Sequence, residues 1–146
     1  MDESIQIILR VAGPADASEI ARLNAKFNGS TEPPENYAAR LVDVRRVDTP
    51  LLAEVDQRIV GIANLRLLDA VFDPEPYAEV TELFVVEEHR RKGVGRALLA
   101  FAEKLAREAG AAQILILTDF YNNTAQKLYH AAGYSHYDIA LHKDLS

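Results

Sequence analysis

A chain of 146 residues has the length of one domain, and folding at that size removes about 68–70% of the unfolded surface from water. With 49% hydrophobic and 26% charged residues, it has the composition of an ordinary globular protein and not of a disordered, collagenous or coiled-coil one. The 16 Lys and Arg against 22 Asp and Glu leave a net charge of −6, which argues against a general binder of nucleic acid or anionic membrane, because neutralising a run of phosphates needs a basic surface. Residues 5–11, apolar, β-branched and closed by Gly13-Pro14, predict a first strand. A helix follows: Pro14 suits a first turn, Asp16 and Glu19 are spaced as a capping box, and Ile20, Leu23 and Phe27 recur at helical spacing before Asn28-Gly29. Pro33-Pro34 opens a second short helix with Tyr37, Leu41 and Val44 on one face. Residues 51–55 and 59–68 flank Asp56-Gln57-Arg58 as a hairpin.

Residues 69–76 form an acidic loop containing proline, and residues 79–86 a strand whose Leu83, Phe84, Val85 and Val86 are apolar on both faces, as at the centre of a sheet. From Val94 a long helix turns Val94, Leu98, Phe101, Ala102, Leu105 and Ala109 inward and ends at Gly110. A buried strand at residues 114–117, a helix at 122–132 closed by Gly133 and a last strand at 134–141 complete the chain. The order β-α-α-β-β-β-α-β-α-β predicts one α/β domain over residues 1–146, with a mixed central sheet of about six strands flanked by about four helices.

With no cysteine, disulfides, thiolate metal sites and a Cys nucleophile are excluded. His89, His130, His136 and His142 form no His-Glu-x-x-His and no i, i+4 pair on one helix, so no metal site is expected. Residues 1–10 carry Asp2 and Glu3 where a signal peptide would be basic, and their apolar run is too short to span a bilayer; a soluble cytoplasmic protein is expected.

The segment with the strongest chemical signal joins the central strand to the long helix through Arg90, Arg91, Lys92, Gly93, Val94, Gly95 and Arg96. Unpaired N–H groups and the positive dipole end make a helix start an anion site, and glycines let backbone approach a phosphate. A P-loop needs Gly, four residues, then Gly-Lys-Ser/Thr, which is absent; a dinucleotide fingerprint needs a small residue where Leu98 stands.

Arg90-x-x-Gly93-x-Gly95 at this junction resembles the signature with which the GNAT superfamily of acyl-CoA N-acyltransferases holds the pyrophosphate of coenzyme A. Asn122-x-x-Ala125-x-x-Leu128-Tyr129-x-x-x-Gly133-Tyr134 resembles the superfamily's second motif, with Tyr134 in place of the commoner Phe, and the order of elements is similar over essentially the whole chain. Helical spacing puts Asn122, Ala125 and Tyr129 on one stripe, able to face one extended ligand. By residue type and position Asn122 suits an N-cap as well as a ligand contact; the resemblance implies that it bonds the pantetheine arm. Tyr129 by itself reads as a half-buried aromatic, and the resemblance implies an acid that protonates the departing thiolate.

The resemblance implies direct attack of an amine on acetyl-CoA in a ternary complex, a GNAT-like fold, and a homodimer. A protonated amine must lose a proton before it attacks, so a carboxylate base is needed. Glu82 and Glu79 stand on the central strand, on opposite faces under strict alternation and on one face if a bulge intervenes. Glu82 is preferred because it directly precedes the two-sided apolar run, and Glu79 stays open. The resemblance also implies that backbone N–H groups among Leu83, Phe84 and Val85 polarise the carbonyl. Residues 67–88 hold Asp69, Asp73, Glu75, Glu79, Glu82, Glu87 and Glu88 with no Lys or Arg, so as an acidic rim they would draw a small cationic amine. The other reading is a catalytically silent CoA-binding sensor or interaction module.

Overall fold

The structure is a computed structural model describing residues 4–146; Asp2 and Glu3 lie outside the described residues. Its five strands, β1 (Ile8–Val11), β2 (Asp48–Val55), β3 (Arg58–Leu68), β4 (Tyr77–Val85) and β5 (Ile114–Ile116), form one sheet in the order β1-β2-β3-β4-β5. All neighbours are antiparallel except β4 and β5. A parallel pair cannot close through a tight turn, so the chain crosses between them through α3 (Val94–Glu108). β2 and β3 meet in a two-residue turn with Asp56 at φ 51° and Gln57 at φ 66°, the left-handed pair that matches strand twist.

α3 lies on one face of the sheet. A Cβ on Gly61 would stand 3.0 Å from Leu98 Cδ1 and from Val94 Cγ1, so the bare glycine lets the helix come down onto β3. Leu98, Leu99, Val94, Leu51, Leu65 and Val80 are fully buried there or beside it, and truncating such a leucine to alanine costs about 2–5 kcal/mol. The opposite face lies under α1 (Ala17–Asn28) and α2 (Pro34–Leu41), where Tyr37 is buried and bonded through its hydroxyl to Asn24 Nδ2 at 2.6 Å. Beyond β5, α4 (Asn123–Ala131) returns to pack its Leu128 against the start of α3.

Several expectations are corrected. The last strand at residues 134–141 does not form: β5 is only three residues long and pairs with β4, and Tyr137, Ile139 and Leu141 stay exposed with no strand beside them. The sheet therefore has five strands among the described residues. Asp16 and Glu19 make no capping box, because the Asp16 carboxylate turns back to Arg10 and to the Gly13 amide while Glu19 pairs with Arg22. Val44 is 97% exposed beyond the end of α2, where Asp43 Oδ1 accepts from the Arg45 amide and turns the chain. Ala109 is the exposed cap of α3, and Leu99 and Ala106 take inward positions instead. Among the described residues no helix is long and apolar enough to cross a membrane, and no group of His, Asp or Glu could hold a metal ion.

Candidate active site

The β3–β4 register shifts once. Asn64 stands opposite Glu82 and Leu65 opposite Val80, so Thr81 is an extra residue in β4. This bulge brings Glu79 and Glu82 onto the same face, the face beneath α1 and α2, where both line a cavity of about 640 Å³. Cross-strand pairing lays its floor out in rows: Asp48, Arg66 and Glu79; Pro50, Asn64 and Glu82; then Ile62 beside Phe84. Phe27 of α1 stacks on Phe84, with ring centroids 4.6 Å apart.

Burial pushes the Glu82 carboxyl above its ordinary range, and the Asn28 amide pulls weakly the other way. Such a carboxylate is a stronger base than an exposed one. Glu79 accepts a long hydrogen bond from the Tyr77 hydroxyl at 3.4 Å, and Arg66 donates Nε to Asp48 Oδ1 at 2.9 Å. Of the acidic residues between 67 and 88, only Glu79 and Glu82 line the cavity.

β5 covers β4 only at Ala78, Glu79 and Val80. Beyond that point β4 keeps its β3 partner and loses the other. The Val86 amide donates to Val60 O at 2.8 Å, so by strand alternation the Phe84 amide also faces β3 while those of Leu83 and Val85 face the open side. Two donors thus stand free beside the cavity's Phe84 and Leu117 end.

The chain then enters a 3₁₀ turn (Glu87–His89) and the basic segment. Arg91 at φ 62° and Gly93 at φ 84° are both left-handed, so the chain turns sharply just before α3 begins. The amides of Val94, Gly95 and Arg96 have no helical carbonyl to bond, and Gly93 makes no side-chain cap. Arg90 is partly committed, donating Nε to Val85 O at 3.0 Å, and Arg96 donates to Ala131 O at the end of α4 at 3.2 Å. Arg91 and Lys92 make no ion pair among the described residues. The segment thus suits a pyrophosphate by open amides and two uncommitted cations. Gly95 serves a second purpose, since a Cβ there would meet Leu128 Cδ2 at 3.2 Å; it keeps α4 close as well as leaving backbone bare.

On α4, Asn122 is the N-cap, its Oδ1 accepting from the Ala125 amide at 3.1 Å, which leaves Nδ2 for another partner. Tyr129 is half-buried with its ring edge-on to Tyr134, centroids 6.2 Å apart, and burial raises its pKa. Ala125 lies between these two on the same helix. None of the three lines the cavity of Glu79 and Glu82.

Sequence reasoning missed much of the cavity's polar lining, including Asn24, Arg40, Arg46, Asp48, Asn64 and Arg66. One signal was present, because Asn64 and Arg66 interrupt an otherwise apolar run over residues 59–68.

Residues 16–134 match the model of the Acetyltransferase (GNAT) family. The chain belongs to that family. Its fold is that of solved acetyltransferases: aminoglycoside N-acetyltransferase AAC(6')-Iy in complex with CoA superposes with a TM-score of 0.82 at 16% identity, over 100% of this chain and 99% of that one. The aminoglycoside acetyltransferase meta-AAC0020 from an uncultured soil metagenomic sample, in complex with sisomicin, has a TM-score of 0.83 at 16% identity, covering 96% and 95%. N-acetyltransferase 8 of Homo sapiens is 29% identical over 83 residues, 57% of this chain, and the match spans only 37% of that protein's length.

Proposed function

We propose that this GNAT-family chain, as one domain over residues 1–146, is an acetyl-CoA-dependent N-acetyltransferase that acetylates a small molecule whose amine arrives protonated and positively charged. The observation that carries the reading is the opening of β4. One strand presents two carboxylates in a cavity at Glu79 and Glu82, two unpaired amides at Leu83 and Val85, and a cation-rich helix start directly after it. Family membership and the likeness to an acetyltransferase solved with CoA support acetyl-CoA as the donor. The likeness to one solved with sisomicin supports an amine acceptor.

In this reading the residues divide the work. The amides of Val94, Gly95 and Arg96, with Arg91 and Lys92, hold the pyrophosphate. Asn122 Nδ2 and the backbone at Ala125 hold the pantetheine arm. Glu82 takes the proton from the ammonium, directly or through a water, with Glu79 one row away keeping the ammonium in place. The Leu83 and Val85 amides receive the charge that grows on the thioester oxygen as the amine nitrogen attacks. The C–S bond then breaks and Tyr129 gives its hydroxyl proton to the departing sulfur. No acyl-enzyme is formed, consistent with a chain that has no cysteine. We also place Tyr137, Ile139 and Leu141, which alternate along the exposed segment after α4, at a homodimer contact.

Incubation with acetyl-CoA and a panel of amines, read by release of free thiol, tests the reading. Acceptor-dependent thiol release is expected. Tight CoA binding with no turnover on any amine would assign the chain to the silent CoA-binding class instead.

A further inference from the structure

We infer that the acceptor carries a carboxylate close to its amine, so that it is a free amino acid or a similar amino-carboxylate, and that Arg46, assisted by Arg66, is the specificity-determining cation that reads the carboxylate. The inference rests on the acyl-transfer reading above and names the substrate class of the same cavity.

The cavity is not an acidic well. Beside three carboxylates, Asp48, Glu79 and Glu82, it is lined by three arginines, Arg40, Arg46 and Arg66. A site built only for a cation would not set three guanidinium groups around it, since each like charge opposes entry. Their commitments differ. Arg40 is paired with Glu32 at 2.7 Å and sits over the Tyr37 ring, 4.8 Å from its centroid. Arg66 spends Nε on Asp48 and has its terminal nitrogens left. Arg46 makes no ion pair and no side-chain hydrogen bond among the described residues. The two acids that feel its charge are each held by another arginine, Glu32 by Arg40 and Asp43 by Arg45 at 2.8 Å.

The spacing fits a short amino-carboxylate. Asn64, opposite Glu82, and Arg66, opposite Glu79, are two residues apart on β3, which is about 6.8 Å along a strand. An ammonium at Glu82 therefore leaves a carboxylate, a few bonds away, in reach of the Arg66 end of the floor, where Arg46 also lines the wall. The acids of the 69–76 loop, which would favour a polycation, stand outside the cavity.

The test compares thiol release by the full chain with free L- and D-amino acids, their carboxamides, and the amines that remain when the carboxylate is removed. A preference of at least about tenfold in kcat/KM for an amino acid over its own carboxamide is expected, the worth of one charge-assisted hydrogen bond. Arg46→Gln should raise the KM for the amino acid about tenfold more than the KM for the carboxamide, with kcat changing less, and Arg46→Lys should recover part of the preference. Arg46 is exposed, so these variants are expected to fold. Carboxamides or simple amines that equal or exceed the amino acids would overturn the inference while leaving acyl transfer standing. A preference unchanged by Arg46→Gln would remove Arg46 from the role. No thiol release from any amine would bring down the acyl-transfer reading and this inference with it.

Discussion

Asn64 Nδ2 donates to Thr81 Oγ1 at 2.8 Å across the one place where β4 carries a residue more than β3. The bond ties the bulge residue to its neighbour strand, and the bulge is what places Glu79 and Glu82 on the same face. Asn64→Ala should therefore destabilise the fold by about 1–2 kcal/mol, the usual cost of a lost part-buried hydrogen bond. It should also lower kcat by disturbing Glu82; a melt paired with steady-state rates checks both, and unchanged kcat would separate the bulge from the chemistry.

Glu82→Gln should cost about 10²-fold in kcat/KM, the scale of one general base, and Glu79→Gln less. A base acts deprotonated. Because burial raises the Glu82 carboxyl, activity should climb with pH along an acid limb displaced above the ordinary carboxylate range, and Glu82→Gln should abolish that limb. A larger loss in Glu79→Gln would move the proton transfer to that residue.

Tyr129→Phe should lower kcat more than it raises the KM for acetyl-CoA, by about 10²-fold, since the hydroxyl acts as the sulfur leaves. An acid must be protonated, and burial raises this phenol above its usual value. The wild type should keep its activity on the alkaline side to beyond about pH 10 as far as this group is concerned. Wild-type kcat in the variant, with chemistry rate-limiting, would make Tyr129 a packing residue beside Tyr134.

Gly93→Ala and Gly95→Val should both weaken acetyl-CoA binding, by different routes. Gly93 needs φ 84°, a conformation that costs a side-chain-bearing residue about 1 kcal/mol. Gly95→Val drives its side chain into Leu128 and should lower the melting temperature more, by displacing α4. Calorimetry with acetyl-CoA beside thermal melts distinguishes the two; full affinity in a folded Gly93→Ala chain would remove the donor from this turn.

Asp16 accepts from both terminal nitrogens of Arg10, at 2.7 and 2.8 Å, and from the Gly13 amide at 2.8 Å, while Arg10 Nε reaches Glu54 at 2.7 Å. The hydrogen bonds from Arg10 hold the Asp16 pKa below its ordinary value. A depressed carboxylate stabilises the fold above its unfolded pKa of about 3.9, and that stability is lost as pH falls through the lower folded value. With Arg10 partly exposed, Asp16→Asn should cost about 1 kcal/mol at pH 7. The gap should close under acid, as denaturant midpoints taken at several pH values would record.

The sequence by itself determined the parts of this protein whose signal is local. Periodicity placed α1 and α3, glycines and prolines bounded the helices, and the basic turn before Val94 and the Asn122-to-Gly133 stretch pointed to the GNAT family. Each of these depends on neighbours within a few positions, so the chain spells them out. The tertiary structure decided everything that depends on what stands across a strand. An apolar alternation at residues 134–141 predicts a strand, yet a strand exists only when another edge hydrogen-bonds to it, and β5 extends over just Ile114, Leu115 and Ile116. Alternation put Glu79 and Glu82 on opposite faces, and only the register between β3 and β4 reveals the bulge that unites them. Arg46 and Arg66, 20 positions apart in the chain, meet in one cavity because β2 and β3 fold back on each other beneath α1 and α2. Which charges share a cavity is a property of pairing and packing, and no local pattern encodes it.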